Sequence, residues 1–177
     1  MMRLIALLLS LAVCLAGCGQ KQADQEEKAV EAIHKLGAHM DRDESLPGRP
    51  VVAVDLGYSQ ITDASLKDLK ELKHLRFLNL GYSQITDAGL KDLKELKGLK
   101  ELGLGSTNIT DGGLKDLKEL NGLQTLDLER TQITDAGLKD LKELKGLQTL
   151  YLGDTQITDA GLKDLKQALP KTRVLGP

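Results

Sequence analysis

Five hydroxyl side chains recur every 24 residues: Ser59, Ser83, Thr107, Thr131 and Thr155. A lone hydroxyl attacks only when a neighbouring base takes its proton. The candidates for that role are His34, His39 and His74. None stands at metal-ligand spacing, and none has an evident nucleophile and orienting partner beside it. Gly103-Leu104-Gly105 lacks the third glycine of a phosphate loop. Asp41-Arg42-Asp43-Glu44 lacks the spaced ligands and central glycine of a calcium loop. A row of hydroxyls on one period reads instead as scaffold. Backbone groups at a strand-to-loop bend point inward and need partners. A hydroxyl can donate to one neighbouring rung and accept from another. The expectation is therefore no enzyme, no metal and no cofactor.

The thiols Cys14 and Cys18 are the other reactive groups. Arg3 precedes an apolar run from Leu4 to Val13, which is too short for a permanent bilayer span and has the length of a signal-peptide core. It ends in Leu15-Ala16-Gly17-Cys18. This ending resembles the lipobox of bacterial lipoproteins, whose cysteine is lipid-modified and becomes the first residue after cleavage. The resemblance implies loss of residues 1–17, Cys14 among them, and a lipid on Cys18. More than one acyl chain there would anchor the protein stably. The implied location is the bacterial cell envelope, as a membrane-anchored lipoprotein on the periplasmic side or the cell surface.

What would position any site follows from the rest of the chain. Residues 18–23 read as the lipidated cysteine and a polar tether, and 24–50 as a cap. Within the cap, Asp24 to Leu36 predicts a helix with Asp24 as its N-cap, Val30, Ile33 and Leu36 as its apolar stripe, and Gly37 at its C-terminal cap. Ala38 to Asp43 predicts a short strand, and Leu46 to Pro50 a turn. Residues 51–170 divide into five units: 51–74, 75–98, 99–122, 123–146 and 147–170. Residues 171–177 begin a further strand and read as a C-terminal edge. With 2% aromatic residues, the core must be Leu, Ile, Val and Ala. A net charge of −2 argues against a nucleic-acid partner recruited by charge alone.

Within a unit, Leu102 and Leu104 and their equivalents alternate with outward residues, as in a strand. Ile61, Ile85, Ile109, Ile133 and Ile157 form the next buried rung. Thr62 and its equivalents suit an N-cap, with Asp63 in the favourable field of the helix start. Leu66, Leu69 and Leu72 continue the buried stripe. Gly98, Gly122 and Gly146 are expected to close three of the helices, and Lys67 and Glu71 to pair weakly. The spacing LxxLxLxx(S/T), as in Leu123 to Thr131, resembles the leucine-rich-repeat family, most closely its short bacterial envelope type. The segment Ile-Thr-Asp-Ala-Gly-Leu also resembles the cysteine-containing repeats of eukaryotic F-box proteins. The resemblance implies an α/β leucine-rich-repeat solenoid, curved, with a parallel β-sheet on the concave face, helices on the convex face and an N-terminal capping helix.

Comparing the units with each other locates the variation. The helical halves are nearly identical; the outward strand positions differ. One row is Ala53, Phe77, Glu101, Thr125, Thr149, and the next is Asp55, Asn79, Gly103, Asp127, Tyr151. A third is Gly57, Gly81, Gly105, Glu129, Gly153, and the rim row is Tyr58, Tyr82, Ser106, Arg130, Asp154. All four aromatic residues of the chain fall on these rows. The binding residues expected here are Tyr58, Phe77 and Tyr82 as an aromatic patch, with Asn79, and Glu101, Asp127, Glu129 and Asp154 as an acidic patch with Arg130 and Tyr151 among them. Exposed rings bring contact area at little entropic cost. The expected function is a lipid-anchored, non-enzymatic scaffold for a protein partner, or alternatively a glycan. A passive or self-associating envelope component is the second reading. A degradation adaptor is the third, and the export signal argues against it.

Overall fold

The computed structural model describes residues 19–176. Residues 1–18 lie outside them, so the signal peptide and the lipidation of Cys18 are not part of the structure described.

A helix, α1, covers residues 19–34. It begins ahead of Asp24, so the expected tether at 19–23 is helical, and Asp24 is an interior residue accepting from Gln20 Nε2 at 3.2 Å. Gly37 follows with φ +82°, the left-handed conformation a C-terminal glycine relieves. Ala29 and Ile33 are buried against the first repeat, and Val30 and Leu36 pack beside them. Polar contacts fix the helix there. Glu26 Oε1 accepts from Val51 N at 3.0 Å, and Gln22 Nε2 donates to Glu71 O at 3.4 Å. Arg42 donates to Glu27 at 3.2 Å.

Strand β1 (His39–Arg42) pairs antiparallel with β2 (Val51–Asp55). Five further strands follow in parallel: β3 (Phe77–Asn79), β4 (Glu101–Gly103), β5 (Thr125–Asp127), β6 (Thr149–Tyr151) and β7 (Arg173–Leu175). The spatial order of the sheet is its chain order, β1 to β7. Each crossover carries a short helical segment: α2 (Asp63–Leu66), α3 (Asp87–Leu93), α4 (Asp111–Leu117), α5 (Leu138–Leu141) and α6 (Asp159–Ala168). Registers advance by one unit per strand, as in Phe77↔Glu101 and Glu101↔Thr125. The inward leucines and the isoleucine row are buried in one continuous core, and none of the four aromatic rings belongs to it. This is the expected solenoid.

The hydroxyl row works within each unit rather than between rungs. Thr107 Oγ1 donates to Leu104 O and Thr131 Oγ1 to Leu128 O, both at 2.6 Å, and the other three hydroxyls do the same. Each bond pins the turn that follows its strand.

The helix starts are joined between units. Asp87 Oδ1 accepts from Thr110 N at 2.8 Å and Oδ2 from Thr110 Oγ1 at 2.6 Å. The same clasp links Asp63 to Thr86, Asp111 to Thr134 and Asp135 to Thr158. Each of these threonines also caps its own helix, Thr110 Oγ1 accepting from Gly112 N at 3.2 Å. The aspartate expected to answer only its own helix field therefore anchors the next repeat. The clasp explains a glycine shared by the last four units. A Cβ on Gly89 would lie 2.5 Å from Asp63 Oδ1, and one on Gly113 2.5 Å from Asp87 Oδ1; Gly137 and Gly161 are more crowded still. The first unit has Ser65 there. No repeat precedes it to supply an aspartate, and Thr62 has no side-chain capping bond.

Two further expectations are corrected. Gly98, Gly122 and Gly146 lie beyond helices that end at Leu93, Leu117 and Leu141, and they are not left-handed. Gly122 and Gly146 instead serve close approach, since a Cβ on Gly146 would sit 3.0 Å from Asn121 O. Lys67 and Glu71 form no ion pair among the described residues, because α2 stops at Leu66 and a 3-10 turn follows. Convex charges pair between units, as Lys97 with Glu119 at 2.7 Å and Lys142 with Asp164.

Candidate functional site

The rim row begins where each strand turns away from the sheet. Tyr58, Tyr82, Ser106, Arg130 and Asp154 all have positive φ, between 55° and 58°. This left-handed backbone costs an L-residue about 1–2 kcal/mol, and glycine or asparagine would adopt it more cheaply. Hydrogen bonds between units hold it in place. Tyr58 N donates to Gly81 O at 3.0 Å, Tyr82 N to Gly105 O at 2.9 Å and Arg130 N to Gly153 O at 2.8 Å.

The side chains on this rim touch one another. Tyr58 and Tyr82 stack with centroids 4.2 Å apart and planes inclined by 11°. Arg130 Nη1 donates to Tyr82 Oη at 3.2 Å, spanning two repeats, and Arg130 Nε donates to Asp154 Oδ2 at 3.1 Å. The Ser106 hydroxyl, then Tyr58 and Arg130, draw the Tyr82 phenol below its ordinary range. The neighbouring Tyr82 phenol raises that of Tyr58. Asp154 holds Arg130 more firmly protonated. Tyr58 is 76% exposed and Tyr82 47%, so the stack stands open to a partner.

Phe77 is separate from this stack. It starts β3, five residues ahead of Tyr82, and shares a depression of about 230 Å³ with Asn79, Glu101, Leu102, Gly103, Thr125 and Asp127. The expected aromatic and acidic patches are thus divided differently. Tyr58, Tyr82, Arg130 and Asp154 make one group along the rim; Phe77, Asn79, Glu101 and Asp127 make another on the sheet. Glu129 lies over Gly153, with Oε1 3.1 Å from where a Cβ there would be. Tyr151 is half-buried in register with Asp127 and belongs to neither group.

Three polar residues of the sheet face also hold the turns. Asp55 Oδ1 accepts from Gly57 N at 2.9 Å, Asn79 Oδ1 from Gly81 N at 3.0 Å and Asp127 Oδ1 from Glu129 N at 2.9 Å. Asn79 Nδ2 also donates to Asp55 Oδ1 at 2.8 Å. Each is a side chain bonding the backbone two residues ahead. An Asp or Asn two residues before the glycine row was the available signal.

A sheet of parallel strands with one short helical crossover per 24-residue unit, and a Ser/Thr rung in each, defines a leucine-rich-repeat solenoid. The comparisons agree. The family model described as Leucine Rich repeat matches residues 71–94, 122–142 and 147–166. An internalin of Listeria monocytogenes is similar at 31% identity over 70% of this chain and 34% of its own, with a TM-score of 0.61. Internalin C2 of the same organism matches at 26% identity over 82% of this chain and 61% of its own, with a TM-score of 0.57. A leucine-rich-repeat protein of Leptospira interrogans matches at 26% identity over 70% of this chain and 36% of its own, with a TM-score of 0.51. The chain spans about a third of the first and last of these structures. A search of curated proteins finds no match.

Proposed function

We propose that the protein is a non-enzymatic scaffold that holds a protein partner on its concave face, at the bacterial envelope, through a lipid on Cys18. The observation that carries the binding reading is the rim. Two exposed tyrosines and an arginine occupy left-handed positions that glycine or asparagine would hold with less strain. Their side chains form one continuous row rather than filling the core. Strain kept for exposed side chains is accounted for by contacts those side chains make elsewhere. Concave solenoid faces are the usual place for such contacts.

The test replaces Tyr58 and Tyr82 with glycine, which removes the rings and relieves the backbone together. The double variant is expected to keep its circular dichroism and melting temperature while losing crosslinked partners in an envelope pull-down. An unchanged set of captured partners refutes the concave-face reading. The anchor has its own test. Cys18→Ser is expected to block processing and remove the protein from the detergent-extracted membrane fraction; normal processing and fractionation would exclude the lipid.

A further inference from the structure

We infer that the depression between Phe77, Glu101 and Asp127 is a seat for a lysine or arginine side chain, and that the partner of this face is a basic peptide segment crossing the strands. The inference rests on the concave-face reading and narrows it to one chemistry.

The first support is charge. The outward rows of the five repeats carry Asp55, Glu101, Asp127, Glu129 and Asp154 against Arg130 alone, and Arg130 is already taken by Asp154 and Tyr82. Glu101 and Asp127 are in no ion pair among the described residues. Arg76 and Lys100, which precede β3 and β4, form no ion pair with either carboxylate among the described residues, and the Lys100 ammonium lies 3.2 Å from the position of a Cβ on Gly122. Arg173 is on β7, two strands beyond Thr125.

The second support is shape. Phe77 is 37% exposed and walls the depression, with Glu101 beside it in register on β4 and Asp127 on β5. Asp127 uses Oδ1 for the Glu129 N–H; Oδ2, 2.9 Å from where a Cβ on Gly105 would be, accepts no hydrogen bond among the described residues. A lysine or arginine stem packs against a ring while its head reaches carboxylates, and a cation over an aromatic face is attracted to it. An acidic or neutral side chain would gain the ring contact and meet two uncompensated carboxylates. The stacked tyrosines on the rim give the rest of the segment an aromatic wall.

The experiment is fluorescence anisotropy on the full chain with a labelled Gly-Ser peptide carrying several lysines, and with its glutamate counterpart. The lysine peptide is expected to bind, more weakly as salt rises, and the glutamate peptide not to bind. Glu101→Gln with Asp127→Asn is expected to weaken lysine-peptide binding about tenfold or more. Asparagine preserves the turn bond, as Asn79 already does in its own unit. Glu101→Lys, at an exposed position with no partner to lose, is expected to exchange the preference between the two peptides. Failure of the lysine peptide to bind, equal binding of both peptides, or insensitivity to all three substitutions overturns the inference. Envelope crosslinking separates this from failure of the scaffold reading. If the Tyr58/Tyr82 glycine variant loses its native partner and the Glu101/Asp127 variant keeps it, the basic seat is wrong and the scaffold stands. If both keep it, the scaffold reading falls as well.

Discussion

Gly112 and Gly113 are adjacent in the first turn of α4, and alanine is expected to act oppositely at the two positions. Glycine in a helix costs about 1 kcal/mol relative to alanine, so propensity alone favours both substitutions. At Gly112 the gain is realised. Ala88 and Ala136 occupy the same position in neighbouring units beside intact clasps of 2.6 and 2.7 Å, so Gly112→Ala is expected to stabilise by about 0.5–1 kcal/mol. At Gly113 the new methyl would lie 2.5 Å from Asp87 Oδ1 and 3.0 Å from Leu90 Cδ1. The carboxylate must move, and its bonds to Thr110 N and Oγ1 go with it. Hydrogen bonds to a charged group contribute about 1.5–3 kcal/mol each. Partial exposure of this pair reduces the combined loss to about 2–4 kcal/mol. After the propensity gain, Gly113→Ala is expected to destabilise by about 1–3 kcal/mol. The deciding measurement is a double-mutant cycle by urea denaturation. With Asp87→Ala the carboxylate contact is gone and only the flexible end of Leu90 remains, so Gly113→Ala should lose most of its cost. If Gly113→Ala stabilises the wild-type chain, or costs as much without Asp87 as with it, the clasp does not set the glycine.

Two other perturbations probe neighbouring parts of the scaffold. Thr131→Ala removes the buried bond to Leu128 O and should cost about 1–2 kcal/mol. Thr131→Ser, the residue Ser83 already uses in that role, should cost less, and equal urea midpoints would refute the turn-pinning role. The Asp135 carboxyl is held below its ordinary pKa by the Thr158 hydroxyl and then the Thr158 N–H. Because its folded value is the lower one, its stabilisation is present above the unfolded value and is lost as pH falls through the folded value. Thr158→Val should therefore lower stability at neutral pH, with the gap to wild type closing as acid protonates the carboxyl; a gap that stays constant with pH would exclude this linkage.

The core was legible because each of its signals is local and repeated. Leu102 and Leu104 alternate within one strand, and Ile109 follows at a fixed step, so burial can be read from a single unit. The clasp could not be read that way. Asp63 and Thr86 are 23 residues apart, and within one unit an aspartate after an N-cap is fully explained by the helix field. Only Ser65, standing where later units have glycine, records that something from a preceding unit fills the space. Gly98 was misread for a related reason. A glycine after a periodic run looks like a helix cap, but α3 ends at Leu93 and the remaining residues form turns. The rim was partly legible: aligned rows place Tyr58 beside Tyr82, but an arginine reaching over Ser106 to a phenol two units away depends on rotamers that no row displays.

Departures of the repeats from their own pattern therefore fall into two kinds. Ser65 departs because its neighbour is the cap and not another repeat, so packing accounts for it. Asp55, Asn79 and Asp127 differ in type but share one task at the turn, so backbone bonding accounts for them as well. Phe77, Glu101, Tyr58, Tyr82 and Arg130 are five of those that remain. None fills the core, and neither Phe77 nor Glu101 supports a turn. Three of the five hold left-handed backbone that glycine would adopt more cheaply. A repeat array that needed only to fold could place small residues at all of these positions, as it does at Ala53 and Gly103. The residues left after packing and turn support are accounted for lie on one face, and that distribution is the physical ground for placing recognition there.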